Sequence, residues 1–368
     1  MGKKRWFSLY PGERIAPDDP LHWTGRFQNA NLMCAECHTT DFQKGYDAAA
    51  DTYRSAWKEI DVGCQSCHGP GGDHVTWARA GGRGAATGLV VGFKSNDSRY
   101  EVDACASCHS RRARVAAGEH PGRPLYDTFR PEALRAGLYH ADGQQLDEVY
   151  EYGSFRQSKM YQRGVRCTDC HNPHSGKIRA EGNAVCAQCH RPEANPRFPS
   201  LAHKVYDAPV HHFHKAGSPG AQCVSCHMPT RDYMIVDARR DHTLRPPRPD
   251  LSVKIGTPNA CTGCHRDRPA EWAAATIVKW YGPEQPKGLS GRSPCAAGRA
   301  GSRDAAPALM AVAGDRDVPA IVRATALGLL RGYGSQATDA LIAALGDMDP
   351  RCASPRWPPS RPPLRPSA

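Results

Sequence analysis

The pattern Cys-x-x-Cys-His occurs seven times in 368 residues: at Cys34, Cys37 and His38; Cys64, Cys67 and His68; Cys105, Cys108 and His109; Cys167, Cys170 and His171; Cys186, Cys189 and His190; Cys223, Cys226 and His227; and Cys261, Cys264 and His265. Two thiols at this spacing reach the two vinyl groups of one porphyrin, and the adjoining imidazole lies under the iron as its proximal ligand. Seven such words, numbered one to seven here, predict seven covalently attached c-type haems and a chain built for electron chemistry.

Paired Cys-x-x-Cys knuckles also build tetrahedral zinc sites. The residue after the second cysteine decides between the two, because a zinc knuckle tolerates many residues there and haem attachment needs histidine. A thioredoxin-like motif would occur once, at a helix start within a βαβ unit, not as a scattered array. The words use fourteen of the sixteen cysteines. Cys295 and Cys352 remain and read as incidental free thiols, so no disulfide framework is expected.

Composition fits a chain that borrows its core. With 40% hydrophobic residues, 35 Gly and 31 Pro, ordinary side chains alone would bury little over the first two-thirds of the sequence. Residues 34–282 must instead wrap seven macrocycles with short helices and many loops. The formal net charge of +11 suggests a polyanionic partner, but two propionates per haem bring the total to roughly +4 oxidised or −3 reduced. No nucleic-acid partner is therefore expected, and the arginines read as propionate partners and solvated surface. No apolar stretch is long enough to span a membrane.

Ten histidines lie outside the words. A lone histidine is ordinarily a surface residue, but seven irons demand axial imidazoles. His22, His74, His140, His174, His212, His214 and His242 are the favoured distal ligands. His211 is an alternative to His212, and His120 and His203 are expected spectators. Met33, Met160 and Met228 stand beside words or histidines, where core packing is the simpler role.

The run from Tyr10 to His74, with Pro20, His22, Trp23 and Arg26, resembles the multihaem cytochromes of the cytochrome c-552/4 type. So does the run from His211 to His214 through Asp241 and His242 to Trp280 and Gly282. The closely spaced words four and five resemble the doubled Cys-x-x-Cys-His module of that group. The resemblance spans residues 5–282. It implies a periplasmic or extracytoplasmic electron-transfer protein, distantly akin to the tetrahaem cytochrome of ammonia oxidisers and to multihaem nitrite and hydroxylamine enzymes. Members resembling this chain usually open with a secretion signal and a further haem segment, whereas this one opens without an apolar h-region. The expectation is that the natural N-terminus, its signal peptide included, is missing.

Beyond Gly282 the character changes. Residues 283–303 read as a Gly/Pro/Ser/Arg linker. Within 304–350, three segments beginning at Ala305, Val318 and Ala337 carry apolar residues at helical spacing and resemble HEAT-type repeats. Such a segment would cap the haem domain or dock a redox partner protein. Residues 351–368, rich in Pro and Arg, read as a disordered and artificial tail.

The expected fold is mainly α with extensive loops: a seven-haem domain over 1–282 organised around stacked haems, then a short HEAT-like α-solenoid. The expected function is electron transfer through mostly bis-histidine haems. The alternative is a haem-based reductase of nitrite, hydroxylamine or sulfur compounds with one open iron. No Cys-x-x-Cys-Lys word, the usual mark of a pentahaem nitrite reductase, occurs.

Overall fold

The structure is a computed structural model that describes residues 6–117, 121–284 and 292–353. His120 lies outside them. The chain is mainly helical with a few two-stranded hairpins and divides into two compact units, one ending at Pro131 and one beginning at Glu132.

The first unit carries words one to three on short helical turns. Helix Gly72–Arg79 follows word two. Helix Ser98–Ala106 opens where the Asp97 carboxylate accepts the backbone N–H of Arg99, and runs into word three. Strand Arg112–Arg114 pairs antiparallel with Phe129–Pro131, Ala113 opposite Arg130. Side-chain packing is thin. Phe42, Val91, Val102, Leu125 and Phe129 are buried, while Trp23, Met33, Trp57, Ile60, Val62 and Val90 face outward.

The second unit carries words four to seven, also on helical turns. Strands Thr230–Tyr233 and Asp237–Arg240 form a hairpin with Arg231 opposite Arg239. Helix Pro249–Ile255 stops at Gly256, whose φ of +68° gives the left-handed exit that glycine tolerates. Helix Ala270–Tyr281 follows word seven.

The largest apolar cluster belongs to this unit. Helices Arg292–Arg299, Ala306–Gly314, Ala320–Leu330 and Thr338–Ala344 bury Leu309, Ile321, Leu327 and Leu330 against Leu134, Leu138, Tyr139 and Val149. Each large aliphatic side chain buried this way contributes about 1.5–3 kcal/mol. The packing thus runs across the boundary expected at residue 282.

Two sequence expectations are corrected here. Residues 292–299, read as linker, are helical, because Cys295 reaches the apolar cluster. Residues 351–353, read as the start of a disordered tail, continue a helical turn from Pro350, and Arg351 and Cys352 are buried. Proline is tolerated at a first helical position because its missing N–H would be unpaired there anyway. Residues 354–368 lie outside the described residues. Burial pushes the Cys295 thiol up to about 11 and the Cys352 thiol up to about 12, so both are inert.

Candidate haem sites

Each word folds for a local reason. The backbone N–H of the word histidine bonds the carbonyl of the first cysteine, as in His68 to Cys64 at 2.9 Å, His109 to Cys105 at 2.9 Å and His265 to Cys261 at 2.9 Å. Such an i to i+4 bond closes one helical turn and brings thiols three residues apart onto one face. The words do not converge on one another as metal cages. Among the described residues no group of three or more His, Cys, Asp or Glu could hold a metal ion.

Iron needs a lone pair on Nε2, which requires the proton on Nδ1. A backbone carbonyl only accepts, so a ring nitrogen bonded to one must carry the proton. His68 donates from Nδ1 to Val91 O at 2.7 Å and His227 to Arg245 O at 2.9 Å. Among the histidines outside the words, His74 donates to Thr87 O at 2.7 Å, His242 to Arg240 O at 2.9 Å, and His214 to His212 O. Two candidates have the opposite arrangement. The backbone N–H of Thr24 donates to Nδ1 of His22, and that of His214 donates to Nδ1 of His212. The bond at His212 leaves the proton on Nε2, whereas Nδ1 of His22 also lies 2.8 Å from the Thr24 hydroxyl, which can donate or accept.

Three word histidines face a second imidazole across nearly the same gap. His171 of word four faces His242 with ring centroids 6.3 Å apart and planes at 28°. His227 of word six faces His211 at 6.3 Å and 3°. His265 of word seven faces His214 at 6.3 Å and 37°. That separation lies toward the long end of the range of about 4.5–7 Å for paired rings. Two imidazoles sharing one metal through bonds of about 2 Å stand with centroids about 6 Å apart. His140 adds a buried Nε2 with no hydrogen-bond partner, and burial pushes its pKa down, favouring the neutral ring that a metal ligand must be. His174 lies on the exposed turn after word four, and His203 is exposed. The imidazole spacing and the orphaned nitrogen fit the porphyrin that the words imply.

Residues 20–69 match the family described as cytochrome c554 and c-prime, and residues 160–195 match the doubled CXXCH motif. These matches support a multihaem c-type cytochrome with covalently bound haem c. They cover less than a quarter of the chain. No curated protein matches. Two solved structures are similar. The outer cell wall cytochrome OcwA is 18% identical, with 83% of this chain and 72% of that chain covered and a TM-score of 0.49. The undecahaem cytochrome from the S-layer of Carboxydothermus ferrireducens is 18% identical, with 85% and 54% covered and a TM-score of 0.35. Among the described residues no helix is long and apolar enough to cross a membrane.

Polar clamps join neighbouring haem words. In the first unit Arg112, nearly buried, donates to Glu36 of word one and to Ser107 O of word three, lies 3.5 Å from the Cys37 sulfur, and stacks 3.7 Å over the Phe129 ring. Cys37 Sγ approaches Cys108 O at 3.9 Å. Burial pushes the Glu36 carboxyl up, but Arg112 and Arg114 together outweigh it and hold it below the usual carboxylate range. In the second unit Asn183, just before word five, accepts the backbone N–H of Cys223 at 2.9 Å and donates to Ala221 O at 2.9 Å. A hydrogen bond with Cys223 pushes the Cys186 thiol up, so words five and six meet at their cysteines. Arg197 ties the loop after word five to Asp169 of word four at 2.5 Å.

Sequence reasoning missed the aromatic framework around words six and seven. The turn Pro209–His212 ends at Phe213, whose φ of +55° is left-handed. That bend lays Phe213 on Trp280 at 4.6 Å and 6°, and separates the directions of His211 and His214. Gly220 lies under the His214 ring, where a Cβ would collide with it. Trp272 packs on His265 at 5.0 Å. The aromatic spacing in helix Ala270–Tyr281 was the available signal.

Proposed function

We propose that this chain is an extracytoplasmic electron conduit that holds seven c-type haems, most of them between two histidines. The observation that carries the reading is the repeated 6.3 Å gap between His171 and His242, His227 and His211, and His265 and His214. Bound in the words, the haems would supply one-electron chemistry.

The chain's own residues do the rest. The paired cysteines would hold each macrocycle at two points, which would limit reorganisation when iron changes charge. Carbonyls of Val91, Arg245, Thr87 and Arg240 orient the imidazoles and raise their basicity. Asn183, Arg112 and Arg197 hold successive words close, and short separations are what electron hopping requires. His140 and His74 are the further distal candidates, and His211 takes the place first given to His212. Attachment to Cys-x-x-Cys-His takes place outside the bacterial cytoplasm, which supports an exported protein. The HEAT-like helices read as a cap, because their apolar face closes on Leu134, Leu138, Tyr139 and Val149 of the same unit. A redox partner protein would then meet an exposed haem edge.

The test is a spin-quantified electron paramagnetic resonance spectrum of exported, oxidised protein, normalised to covalent haem by mass. Seven haems, mostly low-spin, are expected. A protein that binds zinc in place of haem, or holds mostly high-spin iron, would overturn the reading.

A further inference from the structure

The ring of Tyr206 stands between the imidazole of word five and that of His211, which faces word six. It meets His190 of word five at 5.3 Å and 81°, and His211 at 5.2 Å and 85°, edge to face in both cases. Its hydroxyl donates to Ala202 O at 3.4 Å. Tyr281 meets His211 at 6.2 Å and 67°, and its hydroxyl donates to His211 O. A ring held edge-on by two aromatic neighbours has little freedom to turn about its Cβ–Cγ bond. The result is an imidazole of His211 only 3° from parallel with that of His227.

We infer that Tyr206 is a positioning residue that locks the plane of His211 parallel to His227 and joins the axial imidazoles of words five and six. This rests on the reading of His211 as the distal ligand of word six. The plane of an axial imidazole selects the iron d orbital with which it overlaps. Two parallel planes act on the same orbital and split the pair, which gives a rhombic low-spin spectrum, whereas crossed planes give a strongly axial one. With haem bound, Tyr206 would set the imidazole plane that the iron meets without touching the metal, and its ring links His211 to His190 of the neighbouring word. The nearby clamp of Asn183 on Cys223 and Ala221 sets the same two words close.

The test uses the full haem-loaded protein. Subtracting the paramagnetic resonance spectrum of His211→Ala from that of the unaltered chain isolates the signal of word six, which is expected to be rhombic. Tyr206→Phe, which keeps the ring, should leave it in place. Tyr206→Leu should move it toward the axial form while haem count and the signals of words other than five and six stay unchanged. Should the leucine variant lose haem, Tyr206→Met makes the same comparison with a longer side chain. A word-six signal that keeps its shape in both Tyr206→Leu and Tyr206→Met overturns the positioning role while leaving His211 as ligand. If His211→Ala removes no low-spin signal, the ligand reading itself fails, and the proposal with it.

Discussion

The imidazoles of His211 and His227 lie 3° from parallel with 6.3 Å between their centroids, and the adjacent His212 takes no part in that pair. The separation arises from a helical turn that starts at Pro209 and ends left-handed at Phe213, so three histidines within four residues leave in different directions. His212 instead accepts the backbone N–H of His214 at 3.2 Å.

That difference sets the first prediction. His211→Ala should convert one haem from low-spin to high-spin, and His212→Ala should leave the spin count unchanged. Spin-quantified paramagnetic resonance on both variants distinguishes them. Equal effects would show that the two rings share the ligand role.

Word seven offers an independent check through Gly220. A methyl group there would meet the His214 ring, which must then turn or withdraw from His265. Gly220→Ala should weaken or abolish one low-spin signal and make that iron reactive to carbon monoxide when reduced. An unchanged optical spectrum with carbon monoxide would mean that His214 is not the partner of His265.

Arg112 concentrates four contacts in the first unit, so its loss should be felt beyond its charge. Arg112→Met leaves Glu36 with Arg114 alone and frees the Ser107 carbonyl, at a cost of about 1–3 kcal/mol. The Glu36 carboxyl is held below its ordinary value. Its stabilisation is therefore full above that ordinary value and is lost as pH falls through the lowered one. Thermal melting of the loaded protein should drop for Arg112→Met at neutral pH. The gap from the unaltered chain should narrow in acid as Glu36 protonates in both.

Asp347 plays the corresponding part among the C-terminal helices. It receives Arg323, which is nearly buried, and Arg316 at 2.8 Å. Burial raises its carboxyl, but the Arg323 hydrogen bond and the neighbouring charges outweigh that and lower it. Asp347→Asn leaves Arg323 short of its counter-charge and should cost about 3 kcal/mol at neutral pH. The unaltered chain should lose the same increment as pH falls through the lowered Asp347 value, while the Asn variant stays flat. A variant that melts at the same temperature at pH 7 would show the pair to be solvent-screened.

The haem words could be read from residue types alone because the attachment chemistry dictates both spacing and turn. Which histidine completes each site could not. His242, His214 and His211 stand opposite His171, His265 and His227, and the left-handed residue Phe213 that ends the turn carrying His211 and His212 is marked by no periodicity. The contacts of His22 with the backbone and hydroxyl of Thr24 depend on a turn that residue types alone do not reveal. The C-terminal helices were legible from their Ala/Leu spacing. Their partner was not, because Leu134, Leu138, Tyr139 and Val149 lie more than a hundred residues away in a stretch without helical pattern. The hairpins were invisible because strands of two to four residues are too short to alternate recognisably.

The uneven distribution of side-chain core gives the last prediction. The first unit buries only a few apolar residues around its three words, whereas the helices from Arg292 onward close a continuous cluster with residues 134–149. A chain produced without haem should fold in the second place and not in the first. Hydrogen exchange of the haem-free protein should find slow amides in Ala306–Gly314 and Ala320–Leu330 and fast ones throughout residues 6–117. Loading with haem should then slow the amides of words one to three, which identifies the porphyrins as the missing core. Uniform protection of the haem-free chain would instead mean that the first unit is held by its clamps, with Arg112, Glu36 and the Arg112–Phe129 stack sufficient on their own.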